Sequence, residues 1–354
     1  MTENDNIIAE TARRIFADLA DPQTLNRAAD DAWKKPLWDT LAAAGLTLAW
    51  VPDELGGSGA ALADGFAIIG TAGQSALAVP LCETLLAGWL LSRGNIAAPA
   101  GPMTLAPARP ADRIALTASG TLSGTARHVP FAREAKHVAV LARGASGLSI
   151  ALAEAAACRV SEGRTLAGDP DDSITFDGTK AVAVAPAPAG FDETALMLMG
   201  AVARAVEIAG ALEAVLDLSV RYANERVAFE RPIAKFQAVQ HNLARLAGEV
   251  AAAVTAAGSA ADTLAQAEKF DDAVFLEAAS AKIRCAEAAE QSAAIAHQVH
   301  GAIGFTKEHV LHRFTLRLLS WRDDFGNESH WAVELGNLVA RRGADELWPL
   351  VASR

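Results

Sequence analysis

Three clusters in the last third of the chain hold residue types that could bind or transform a ligand. The first runs Arg221-Tyr222-Ala223-Asn224-Glu225-Arg226-Val227-Ala228-Phe229-Glu230-Arg231-Pro232-Ile233 and continues to Phe236-Gln237. Proline breaks a helix, so this reads as a corner between two helices. There Arg226 could present its planar fork to a phosphate or carboxylate, and Gln237 an amide to a base or ribose. The competing reading pairs Arg226 with Glu225 or Glu230 on a solvated turn. The second cluster, His297-Gln298-Val299-His300-Gly301-Ala302-Ile303-Gly304-Phe305, closes a long helix in a glycine-containing loop where backbone can approach a ligand. Its histidines, with His309 and His312, lack the spacing and interleaved carboxylate of a zinc helix, so no metal site is expected. The third cluster is Ser320-Trp321-Arg322-Asp323-Asp324-Phe325-Gly326-Asn327-Glu328-Ser329-His330-Trp331. A carboxylate in a tryptophan-lined, apolar pocket would have a raised pKa suited to general-base work. Alternatively Asn327 caps a final helix starting near Glu328, with the acids near its positive end.

The elements that must position these clusters fall into three blocks. Residues 1–97 form a helical domain: apolar side chains recur at helical spacing over Trp38–Leu48 and Thr71–Leu91. Between them Val51-Pro52-Asp53-Glu54-Leu55-Gly56-Gly57-Ser58-Gly59 is a structural turn without the lysine of a phosphate loop. Residues 98–186 form a small β-barrel-like domain of five to seven strands. Its β-branched runs are Arg113–Thr117, Thr121–Val129, His137–Ala142, Leu148–Leu152 and Ser173–Val184, with hairpin turns at Ser119-Gly120 and Asp177-Gly178. Ala185–Gly190 reads as a stiff linker. Residues 191–354 form a C-terminal four-helix bundle, with long helices over Ala195–Glu225, Lys235–Leu264 and Asp271–His297.

Composition narrows the function. The 354 residues carry 31 Lys and Arg against 42 Asp and Glu, a net charge of −11, which disfavours a nucleic-acid partner. No uninterrupted apolar run approaches eighteen residues and the first ten residues are polar and acidic, so no membrane span or secretory signal is expected. Three scattered cysteines, Cys82, Cys158 and Cys285, suit a reducing cytoplasm.

The order of the blocks and motifs resembles the acyl-CoA dehydrogenase family over nearly the whole chain. The matching segments are R-x-x-F at Arg226–Phe229 leading to Phe236-Gln237, Q-V-H-G-x-x-G-F at Gln298–Phe305, and P-x-E-x-G-G-x-G at Pro52–Gly59. The resemblance implies an FAD-dependent dehydrogenation of an acyl-CoA thioester, with FAD bound across the interface of a homo- or hetero-oligomer. Electrons would pass on to an electron-transferring flavoprotein. Arg226 would contact the FAD pyrophosphate, with Phe229 and Gln237 flanking its ADP half. Gln298, Val299, Gly301 and Ala302 would reach the ADP of a flavin held mainly by a neighbouring subunit, and Asn327 takes the place of a cofactor-binding threonine.

Two departures stand beside that resemblance. The family's usual base position falls on Phe325, and its alternative on the first bundle helix falls near Gly200; neither residue takes a proton. Asp324, one residue away, is the candidate base, and Glu193, Glu207 and Glu328 lie further from the expected positions. The family's E-x-x-x-G-S-D-like loop is missing, and the strand Leu122–Val129 carries Arg127-His128 where a tryptophan–threonine pair would face the flavin ring. The ADP-side half-site is therefore expected to be intact and the ring side weak. This resembles the smaller chain of hetero-oligomeric bacterial members; the alternative is a non-catalytic structural subunit.

Overall fold

The computed structural model describes residues 3–352. Helices α1 (Glu3–Leu19), α2 (Pro22–Leu25), α3 (Lys34–Ala43), α4 (Leu62–Gln74) and α5 (Leu81–Arg93) come first. Eight strands follow: β1 (Met103–Ala106), β2 (Ile114–Leu116), β3 (Thr121–Pro130), β4 (His137–Gly144), β5 (Gly147–Glu154), β6 (Arg159–Ser161), β7 (Asp171–Lys180) and β8 (Ala183–Pro186). The chain then runs through α6 (Glu193–Glu225), a hairpin of β9 (Val227–Ala228) and β10 (Arg231–Pro232), α7 (Gln237–Gln266), α8 (Asp272–His300), α9 (Leu311–Trp321), α10 (Glu328–Arg342) and α11 (Leu347–Ala352).

Three sequence-based expectations need correction. Thr71–Leu91 is not one helix: the chain breaks between α4 and α5, where Ala76 takes φ 45° and Pro80 precedes the new helix. Asp177-Gly178 is not a hairpin turn but lies inside β7. Gly178 (φ 72°) sits there at a register shift opposite Leu122 and Ser123, so its left-handed backbone serves a bulge. The sheet also holds eight strands rather than five to seven. β1 was hidden in an Ala/Pro/Gly-rich stretch with little local strand signal, and β6 is only three residues long; each gains its hydrogen bonds from a distant partner.

The sheet order is β6-β7-β3-β2-β4-β5-β8, with β1 parallel to β4 along the same edge that meets β2. Alternation along the strands divides the burial. Val138 and Val140 of β4 join Ile174 and Phe176 in a core within the sheet, while Ala139 and Leu141 face the helical core. Both faces of β4 are thus covered.

The helical core centres on α6, which packs on α4, α7, α8 and α9. An 18-residue window of α6 has mean hydropathy 1.7, enough by length and composition to cross a membrane, yet 94% of that window is buried inside the protein. It is a core helix, interrupted by Arg204 and Glu207. Its crossing with α4 is at backbone contact. A Cβ on Gly210 would lie 2.0 Å from the Gly70 carbonyl oxygen, and one on Gly73 would lie 2.1 Å from that of Glu207. Glycine is required there for the N-terminal helices to dock on the bundle.

Candidate active site

The segment between α9 and α10 turns sharply, with Phe325 at φ 54° and Gly326 at φ 92°. A bulky residue at positive φ costs about 1–2 kcal/mol. The position is held by the Phe325 carbonyl, which accepts a hydrogen bond from Trp331 Nε1 at 3.0 Å, and by complete burial of the ring. The ring lies on Gly200 of α6: a Cβ there would fall 2.3 Å from Phe325 Cδ1. The two positions at which the resemblance locates a base therefore meet in space. A phenyl ring fills the volume between them, and neither residue accepts a proton.

Asp324 points into a buried charge cluster. Its carboxylate, only 13% exposed, lies 3.1 Å from Arg204 Nη2. Arg204 also pairs with Glu83 at 2.7 Å and with Glu207 one helical turn along. Its guanidinium lies over the Trp321 ring, 5.6 Å from the centroid. Lys282, fully buried, donates to the carbonyls of Trp321 and Arg322 and so ties α8 to the end of α9. Burial raises the Asp324 pKa, while Arg204, Arg109 and Lys282 pull it down. Burial likewise raises Glu207, helped by Glu83 and opposed by Arg204. Three carboxylates share one guanidinium, and at Asp324 and Glu207 desolvation prevails over pairing. The other candidate acids are also engaged: Glu193 with Arg143 at 2.5 Å, and Glu328 with Arg322.

The ADP-side candidates lie at the opposite end of α6. Arg226 caps that helix, and its exposed guanidinium has no hydrogen bond or ion pair among the described residues, so the pairing with Glu225 or Glu230 does not form. Phe229 (φ 50°) and Glu230 (φ 62°) form the tip of the β9–β10 hairpin, and Phe229 is 89% exposed. Its ring meets Phe236 edge to face at 6.2 Å, and Arg231 covers Phe236 at 4.2 Å. Gln237 begins α7 with its side chain exposed. Tyr222, in the last turn of α6, stacks on His300 with centroids 4.4 Å apart and holds this corner beside the end of α8. There Gln298, Gly301 and Ala302 are exposed, and Gly301 (φ 64°, ψ −144°) leaves open space where a Cβ would stand. Val299 instead packs into the core, and Asn327 Oδ1 accepts the His330 N–H at 2.9 Å as the cap of α10.

The residues fit the two ends of an FAD unequally. A free guanidinium, an exposed ring and an open glycine turn are suited to a pyrophosphate and its nucleoside. On the ring side, a cleft of about 570 Å³ is lined by Arg109, Arg127, His128, Asp323, Asn327 and His330, and Arg109 Nη1 donates to the Asp323 carbonyl at 2.5 Å. The Arg127 backbone N–H donates to Asp112 at 2.7 Å, and its guanidinium donates twice more to the same carboxylate. His128 Nδ1 lies 2.8 Å from Asp171. These donors are held by Asp112 and Asp171, which suits the ring end of an FAD less well than the corner suits its ADP end.

Sequence reasoning missed Arg204, Lys282 and Asp112. A usable signal was present for the first: Arg204 and Glu207, at i and i+3, interrupt an otherwise apolar helix, and buried charges need partners.

A helical domain, a central sheet and a helical bundle carrying an anion-suited corner define the fold of a flavin-dependent dehydrogenase. The family description "Acyl-CoA dehydrogenase, N-terminal domain" matches residues 2–95, and "Acyl-CoA dehydrogenase, C-terminal domain" matches residues 192–323. The chain belongs to the acyl-CoA dehydrogenase family, FAD-dependent oxidoreductases of acyl-CoA thioesters. It is 28% identical over 361 residues to the acyl-CoA dehydrogenase IpdE2 of Mycobacterium tuberculosis, covering 98% of both chains. The ChsE4–ChsE5 complex from the same organism superposes with a TM-score of 0.85 at 24% identity, over 97% of this chain and 99% of that one. Butyryl-CoA dehydrogenase from Megasphaera elsdenii gives a TM-score of 0.82 at 19% identity, over 96% and 99%; these two structures speak to the fold.

Proposed function

We propose that this chain acts in the α,β-dehydrogenation of an acyl-CoA thioester as one subunit of a hetero-oligomer, its partner supplying the base. The observation that carries the reading is the Phe325 ring packed on Gly200. Removing the α-proton of a thioester needs a positioned base in a water-poor pocket, and this chain has a hydrocarbon ring at that place. Asp324 is engaged by Arg204 rather than free to reach a substrate. FAD, when bound, supplies the acceptor for the β-hydride. In this reading Arg226, Phe229, Gln237, Gln298, Gly301 and Ala302 hold the ADP end of a flavin whose ring lies in the partner. That ChsE4 and ChsE5, which share this fold, form a complex with one another supports such an assembly. An electron-transferring flavoprotein is the proposed next acceptor.

The test is the visible spectrum under anaerobic conditions on adding mixed acyl-CoA thioesters. The chain alone is expected to show no flavin band that bleaches. Co-purified with a family member carrying the glutamate and the ring-side segments, it is expected to show one that does. Bleaching by the chain alone would place a complete site within it and overturn the reading.

A further inference from the structure

A second cavity, of about 420 Å³, lies where the three blocks of the chain meet. Its walls come from the segment between α2 and α3, from two loops of the sheet domain and from α9, and it is lined by Trp33, Lys34, Arg133, Arg164, Arg313 and Arg317 among others. Most of these cations are matched. Lys34 pairs with Glu134 at 2.8 Å and Asp31 at 3.0 Å, Arg133 with Asp172 and Glu162, and Arg317 with Asp169 at 2.7 Å.

Two cations are not. The Arg313 side chain makes no hydrogen bond or ion pair among the described residues, and its Nε is buried without a partner. Arg164, on the facing loop, has only a long contact to the Gly168 carbonyl at 3.4 Å. The Arg313 guanidinium is partly buried beside Arg317, which repels it; Asp169 and Asp31 offset this only through space, since neither forms a hydrogen bond or ion pair with it. Burial and Arg317 outweigh the opposing pull of Asp169 and Asp31 and lower Arg313 to about 10. Two forks from separate elements suit an anion with three terminal oxygens better than a carboxylate, whose two oxygens satisfy one fork. The wall also carries Asp30, Asp31 and Asp169, which can accept hydroxyl hydrogen bonds, and the indole of Trp33 offers a flat apolar face. The volume is within the range of small-ligand sites.

We propose that this cavity binds the phosphomonoester group of a nucleotide-sized ligand, with Arg313 and Arg164 holding the phosphate. The site is separate from the FAD corner and does not rest on the function proposed above.

The test titrates the full chain with AMP, adenosine 3′,5′-bisphosphate, inorganic phosphate and adenosine, by calorimetry and by thermal shift. A phosphate-bearing ligand is expected to bind and adenosine not to. Arg313→Gln and Arg164→Gln should each weaken binding at least about tenfold. Preference for the bisphosphate would mark the phosphorylated end of coenzyme A as the source, and equal binding of AMP a free mononucleotide. Arg313 has no direct hydrogen bond or ion pair to lose among the described residues, so its variant should keep the unliganded melting temperature to within about 2 °C. Arg164→Gln, at an exposed position, preserves the test if it does not. Absence of saturable binding up to about 10 mM, or undiminished affinity in both variants, would overturn the site.

Discussion

At the scale of single residues, Phe325 and Gly200 fill one volume where the proposed function leaves this chain without a base. Gly200→Ala should destabilise by about 1–3 kcal/mol through overpacking against the ring. Phe325→Ala should cost about 3–5 kcal/mol by leaving a cavity. In the double variant the new methyl enters that cavity, so the combined loss in urea unfolding should fall short of the sum by at least about 0.5 kcal/mol. Strict additivity would show that the two residues are not in contact. Asp324 provides the functional counterpart. If its carboxylate serves Arg204 and not a substrate, Asp324→Asn in the assembled enzyme should leave kcat within about twofold, whereas loss of a working base costs orders of magnitude.

At the scale of elements, α6 carries both the apolar surface that organises the core and the charges buried in it. Glu207 is raised from 4.5 to about 7. Between those values the folded chain keeps a proton that the unfolded chain has released. Folded protein then binds more protons, and stability falls as pH rises through that window. Glu207→Gln removes the titrating group while Arg204 keeps Glu83 and Asp324 as partners. The variant should gain on wild type by about 1–3 kcal/mol between pH 5 and 8, measured by denaturant unfolding at each pH. His300, lowered to about 4 by burial, acts in the opposite sense below pH 6.5, but it is common to both proteins and cancels in the difference. A constant difference between the two proteins across that range would mean that Glu207 does not titrate there.

At the scale of the whole molecule, the proposed cofactor site is unequal at its two ends. The corner at the end of α6 faces outward with an unpaired arginine and an exposed phenyl ring, while the strand that would meet a flavin ring has used its donors on Asp112 and Asp171. In the proposed assembly a second chain completes that surface. Arg226→Ala in the assembled enzyme should therefore lower FAD occupancy by about tenfold at limiting cofactor, without changing the melting temperature of the isolated chain. Full occupancy, read from the flavin-to-protein absorbance ratio, would remove Arg226 from the pyrophosphate contact.

The amino-acid sequence by itself determined the order of helical block, sheet and bundle, because helical periodicity, β-branched runs and Pro/Gly breaks are local properties. It also located the Arg226 corner and the Gln298–Phe305 loop, whose spacing is preserved along continuous helices. Tertiary structure alone decided the rest. A three-residue strand and a strand inside an Ala/Pro-rich stretch exist only because distant partners supply their hydrogen bonds. That Gly200 and Phe325 fill one volume, and that Asp324 faces Arg204, are facts about helices brought together across the fold. Burial and pairing, which set what a carboxylate can do, belong to that packing and not to any single stretch of chain.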